Sequence, residues 1–265
     1  MMIDKRTTID RVVEEMRDGI SIVIGGWGPF RKPMALIRAI AASPVKELIV
    51  YSYAAMDLDL LIGAGKVKTA VFGFVSFEGA PGAAGNFNRA RCTASVEIKE
   101  LDEYMFACQF KAAADRIPFY PVRGGIGTDI LTVNPELRLI QDPYAGETLV
   151  AMPACVPDLA IIHVNEADPL GNARILGDAY WDRLFVRAAN RVIISAERIV
   201  PVGAIQNSAI LGVYVDGVIE APRGAHPCNC YPDYPYDAGE MAAYGRATMD
   251  PADFKRYLEN RIKGA

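Results

Sequence analysis

Ser21-Ile-Val-Ile24 runs into Gly25-Gly26-Trp27-Gly28-Pro29-Phe30-Arg31-Lys32, then into Pro33-Met-Ala-Leu-Ile-Arg-Ala-Ile40, and Glu47-Leu-Ile-Val-Tyr-Ser52 follows. A short β-branched run, a glycine turn, a longer apolar run with helical spacing and a second β-branched run are the parts of a strand–helix–strand unit. Pro33 suits a first helical turn, where its missing N–H costs nothing. The same order continues outward. Residues 57–63 read as a helix, and Thr69–Phe72, Ser95–Ile98 and Phe119–Val122 as strands. Between the last two, Leu101, Met105, Cys108 and Ala112 recur at helical spacing. Leu149–Met152, Leu159–Val164 and Arg191–Ser195 extend the series, and 251–262 reads as a closing helix. Several of these strands are apolar on both faces, as a parallel sheet covered by helices requires. The fold class read from this pattern is α/β, a mostly parallel open sheet flanked by helices.

The chain has 265 residues, 51% of them hydrophobic and 23% charged, which excludes a disordered or coiled-coil chain. Without a linker or low-complexity stretch, residues 1–265 read as one domain. Its composition shifts near residue 222, where a Pro-, Tyr-, Cys- and Asn-rich run to residue 237 opens a C-terminal segment, about 222–265, read as an interface wrap. The 28 basic against 32 acidic residues give a net charge of −4, with no electrostatic footprint for nucleic acid. No apolar run reaches the roughly 18 residues of a membrane span, and no secretory pattern opens the chain. Five scattered cysteines suggest reduced thiols and a cytoplasmic location.

Two glycine-rich turns carry the chemical expectation, Gly25–Gly28 and Gly124-Gly125-Ile126-Gly127. Such turns aim N–H groups at one spot, where they can hold a phosphate or an oxyanion, or they are tight turns that need positive φ. Neither has P-loop or dinucleotide spacing. Nucleophiles are few. No G-x-S-x-G elbow occurs, and His163 reads as structural. The string His226-Pro-Cys228-Asn-Cys230 lacks the second pair of a zinc site, so no metal is expected. Glu97, Glu100, Asp102 and Glu103 cluster at the start of the helix after Ser95–Ile98. They face the carboxyl end of a strand, where α/β sites lie, although acidic residues also decorate helix N-termini for electrostatic reasons alone. Asp168-Pro-Leu-Gly171-Asn172 reads as a turn.

The string His163-Val-Asn-Glu-Ala-Asp168-Pro-Leu-Gly171-Asn172-Ala resembles the ADPxGNA segment of family I CoA-transferase α subunits. The Gly25-Gly-Trp-Gly turn, Gly124–Asp129, residues 86–90 and residues 220–227 fit the same family over nearly the whole chain. The resemblance implies the CoA-transferase type of α/β fold, a separate β subunit as partner, an acyl-CoA substrate that brings coenzyme A with it, and no other bound cofactor. Gly25–Gly28 with Arg31-Lys32-Pro33-Met34 is similar to one branch in particular, the α subunits of a ring-opening acyl-CoA hydrolase of steroid breakdown. In that branch a Glu of the α subunit does the chemistry, and Leu101-Asp102-Glu103 matches its context, with Glu100 second. The resemblance then implies Gly25, Gly26, Trp27, Gly28, Gly124, Gly125, Gly127 and Asn172 as oxyanion or substrate contacts. Arg31 and Arg123 become phosphate or carboxylate contacts. In ordinary transferases of the family the covalent Glu is on the β-type half, which leaves a transferase as the alternative. A non-catalytic partner subunit is the third reading, and the glycine turns and clustered carboxylates at one sheet edge argue against it.

Overall fold

The computed structural model describes residues 3–77 and 84–262. In chain order the elements are α1 (Ile9–Glu14), β1 (Ser21–Ile24), α2 (Met34–Ala42), β2 (Leu48–Ala54), α3 (Met56–Gly63), β3 (Val67–Val75) and α4 (Gly85–Thr93). Then come β4 (Glu97–Glu100), α5 (Glu103–Ala114), β5 (Phe119–Val122), α6 (Ile130–Val133), β6 (Arg138–Gln141) and β7 (Thr148–Pro153). The chain continues with β8 (Leu159–Ala167), β9 (Ala173–Arg174), α7 (Asp182–Ala188), β10 (Arg191–Ile199), β11 (Gly217–Glu220), α8 (Ala238–Thr248) and α9 (Pro251–Ile262).

Seven strands form a parallel path in the order β11-β10-β8-β1-β2-β3-β4, and β9 adds an antiparallel pair on β8. Period-two alternation explains how β1 is buried on both sides. Ile22 and Ile24 join the core under α2, α3 and α4, whereas Val23 joins the opposite core with Phe106 and Phe110 of α5 and Phe185 of α7. All nine residues of β8 are buried, as a central parallel strand requires.

The expected strands at 119–122 and 149–152 exist but do not belong to this sheet. β5, β7 and β6 form a separate antiparallel three-stranded sheet. Hence the second glycine turn follows an antiparallel strand, not the end of a parallel one. The segment from Pro222 to Asp237 packs on its own chain, with Cys228, Asn229, Cys230 and Tyr234 buried and Tyr231 and Tyr236 left outward. Residues 263–265 of that C-terminal segment lie outside the described residues.

A buried carboxylate ties α3 to α4 and α8. Asp59 accepts from the Phe87 N–H, the Asn86 amide and the Tyr244 hydroxyl. Burial raises its pKa to about 6, although these donors pull the other way. Because the folded value lies above the ordinary carboxylate value, the contribution of Asp59 is present at acid pH and is lost as pH rises through about 6. Relative to Asp59→Asn, the wild type should lose on the order of 2 kcal/mol between about pH 4 and 7. Urea unfolding of both proteins across that range checks this, and parallel curves would contradict it.

Candidate active site

Asp102 starts α5 by accepting the N–H groups of Tyr104 and Met105, an N-cap that leaves Glu103 as the first helical residue. This end of α5 sits beside the carboxyl ends of β2 and β3. The Tyr53 hydroxyl donates to the Glu103 carbonyl oxygen at 2.5 Å. Gly73 of β3 permits the approach, since a Cβ there would stand 2.9 Å from the Glu103 Cα. Glu103 itself is exposed, and Trp27 donates its indole N–H to the carboxylate at 2.9 Å. The indole is fixed on several sides. Phe74 meets it edge-on at 4.7 Å between centroids, and Tyr180 stacks on it at 5.8 Å with planes 12° apart. Glu103 is therefore a reachable carboxylate oriented by one donor, against a wall of aromatic rings.

The turn that presents Trp27 is pinned internally. Trp27 and Phe30 exchange backbone hydrogen bonds, and Gly26 turns the chain at φ +76°. A side chain at Gly26 would place Cβ 2.1 Å from the Phe30 carbonyl oxygen. The N–H groups expected to be free are not. Gly25 donates to the Ile161 carbonyl, Gly26 to Asp182 Oδ1 and Gly28 to the Tyr53 carbonyl. Gly25, Gly26 and Gly28 therefore shape the turn and offer no donor to an oxyanion. Gly26→Val should accordingly lower melting temperature and activity together, measured by thermal unfolding and turnover on one preparation. A variant that keeps its melting point but loses activity would restore a substrate role for the Gly26 N–H.

Arg31, expected as a ligand contact, is 2% exposed and pairs with fully buried Asp182 at 2.8 Å. Further donors go to the His163 and Asp178 carbonyls, so it braces the turn against the β8 side of the molecule. Asn172 is also spent internally, donating to Asp168 and accepting the Gly212 N–H. Arg123 is exposed and clamps Glu147 at 2.6 Å. Glu100 ends β4, exposed, with its carbonyl taken by the Asn134 amide.

The second glycine turn differs from the first. Gly124 lies against Asp102, where a Cβ would stand 2.1 Å from Oδ2, and Gly125 at φ +82° lies against Met105. The turn thus rests on the first turn of α5, next to Glu103. Among the described residues nothing accepts the N–H groups of Gly124, Gly125, Ile126 or Gly127. The sequence reading missed Tyr53, Gly73, Phe74, Tyr180 and Asp182. A glycine inside a strand was the one available signal, for Gly73.

His163 Nε2, Glu197 Oε1 and Cys230 Sγ lie within 4.8 Å of one another. His163 and Glu197 hydrogen-bond to each other, and the Cys230 sulfur accepts from the Asn165 amide. The His163 ring nitrogens meet Ser195 at 2.9 Å and Glu197 at 2.7 Å, and Glu197 also accepts from Tyr234 and the Arg223 N–H. Burial pushes the Cys230 thiol up to about 12 and His163 below its ordinary value, which keeps both neutral. The His226-x-Cys-x-Cys string does not converge, because His226 turns to Asp237 at 3.0 Å.

The site is thus an exposed carboxylate at the carboxyl edge of an open parallel sheet, opposed by a pinned glycine turn. Residues 5–221 match the family model for coenzyme A transferase, and the chain belongs to that family. Over 275 residues it is 40% identical to the cholesterol ring-cleaving hydrolase IpdA subunit of Rhodococcus jostii RHA1, spanning 99% of this chain and 93% of that one. The structure of glutaconate coenzyme A-transferase from Acidaminococcus fermentans is similar at TM-score 0.93 and 27% identity, over 98% of this chain and 89% of that chain. A variant of the decarboxylase AibA/AibB follows at TM-score 0.91 and 25% identity, over 99% of this chain and 100% of that chain. No described helix is long and apolar enough to cross a membrane.

Proposed function

We propose that this chain is the α-type subunit of a hydrolase that opens the last ring of a cyclic keto acyl-CoA in steroid breakdown, of cholesterol or bile acids, with Glu103 as general base. The observation that carries the reading is the exposed Glu103 carboxylate, oriented by Trp27 at 2.9 Å beside an aromatic wall that suits a hydrocarbon ring. The 40% identical relative named as a ring-cleaving hydrolase supports it. Glu103 takes a proton from water as the water oxygen bonds to the ring ketone carbon. The C–C bond to the neighbouring carbon then breaks, its electron pair delocalises into the conjugated thioester as an enolate, and Glu103 returns the proton to carbon. Proton transfer of this kind contributes roughly 10²–10⁴-fold. The free N–H groups of Gly124, Gly125, Ile126 and Gly127 are the donors on this chain for the developing oxyanion.

The partner in this reading is a β-type subunit of the same family, and the location is the cytoplasm, consistent with five unpaired cysteines. The likeness to glutaconate coenzyme A-transferase favours the second reading, a transferase whose covalent Glu is on the partner. Turnover of a cyclic β-keto acyl-CoA in ¹⁸O-water by the chain with its partner separates the two. Hydrolysis places ¹⁸O in the new carboxylate. CoA exchange between two acids, with a hydroxylamine-sensitive thioester on the partner, would overturn it.

Trp27→Phe keeps an aromatic ring between Phe74 and Tyr180 and removes the N–H donor together with the five-membered ring. A hydrogen bond to a charged group contributes about 1.5–3 kcal/mol, so kcat should fall about tenfold or more with the melting temperature nearly unchanged. An unaltered kcat and pH profile would remove Trp27 from the site.

A further inference from the structure

A cavity whose lining does not include Glu103 lies between the main sheet and the three-stranded sheet. Its volume is about 340 Å³, at the small end of ligand pockets. The floor is one register row of the sheet, Tyr51 of β2, Val71 of β3 and Lys99 of β4. The roof is the segment after β7, and one wall is Gln109 of α5.

Gln109 is 5% exposed, and its Nε2 has no hydrogen-bond partner. A buried amide donor is unfavourable until an acceptor meets it. No group of the lining accepts from it. Burial pushes the Cys155 thiol of the lining up to about 11, so it stays protonated and neutral. Charge then selects the ligand. At the mouth the Lys99 ammonium stands 3.1 Å from Glu136 and 3.8 Å from Glu97, two carboxylates to one cation. Such an entrance disfavours an anion, and Val71, Leu101 and Met152 offer apolar surface inside.

We infer that this cavity binds a neutral, carbonyl-bearing small molecule, whose oxygen accepts from Gln109 Nε2 and whose short apolar body fills the space between the two sheets. The inference is independent of any role of Glu103.

The probe is N-methylbutyramide, with butyrate as the anion of similar shape. In the full chain labelled with ¹⁵N-glutamine, the Gln109 side-chain signals should shift saturably with the amide and at least tenfold more weakly with butyrate. Gln109→Leu should lose saturation transfer to the amide and melt no lower than wild type. Val71→Phe fills the cavity from the sheet side, leaves the amide group in place and should also abolish the response, which covers a failure of the first variant to fold. Unshifted Gln109 signals in the wild type would mean that the amide meets water only and would overturn the proposal. So would equal binding of butyrate, or binding that survives in either variant.

Discussion

Glu103→Gln should lower turnover of a cyclic β-keto acyl-CoA by about two orders of magnitude or more while leaving the fold and partner binding intact. Gln keeps an oxygen for the Trp27 indole N–H, and its backbone carbonyl still accepts from Tyr53, so the contacts that place the side chain survive. What it cannot do is take a proton from water. Glu103 is exposed at the start of α5, where a charge interacts with the helix only through the first turn. Its loss should therefore move the melting temperature by no more than roughly 2–4 °C. Full ring-opening activity in this variant would remove Glu103 as the base and direct attention to Glu100, three residues earlier at the end of β4. Under the transferase reading, CoA exchange should survive the change, with the labile thioester trapped on the partner.

Asp182→Ala should be the most damaging single change to stability among these groups, at about 3–5 kcal/mol in urea unfolding. The carboxylate is fully buried and serves two donors, the Arg31 guanidinium and the Gly26 N–H. Removing it strands a buried cation and a buried N–H together. The turn carrying Trp27 then loses its clamp, so turnover should fall with stability. The pair Arg31→Met with Asp182→Leu should be less destabilised than Asp182→Ala, since neither charge remains to be solvated. A loss below about 1 kcal/mol for Asp182→Ala would show that water reaches Arg31.

The sequence discloses β1 and the first half of β8 well, because burial on both faces leaves apolar runs such as Ile22-Val23-Ile24, whereas the buried His163, Asn165 and Glu166 hide the continuation of β8 to Ala167. It discloses β5 and β7 as strands yet not their sheet, since local alternation says nothing about which strand lies alongside or in which direction. The glycine turn was legible as a turn. Whether its N–H groups were free was not, because their acceptors are the Ile161 carbonyl, the Tyr53 carbonyl and Asp182, set by tertiary packing. The same holds for the Trp27–Glu103 contact, which joins residues 76 apart. Glu103 stood out only through the family resemblance. Acidic side chains at a helix start have an ordinary electrostatic reason to be there, and the neighbour that distinguishes this one comes from another loop.

The sheet order has a consequence for the growing chain on the ribosome. β1 pairs with β2 on one side and with β8 on the other, so Ile22–Ile24 wait for Leu159–Ile161 before their second edge is closed. During that interval Trp27 and Glu103 have both emerged, but the Asp182 carboxylate and the His163 carbonyl that lock Arg31 have not. The nascent first half therefore carries an open apolar strand edge, the kind of surface that recruits other strands. Synthesis arrested between residues 115 and 158 should leave a product that associates with itself or with chaperones, and release past residue 220, once β10 and β11 can close the edge of β8, should end that association.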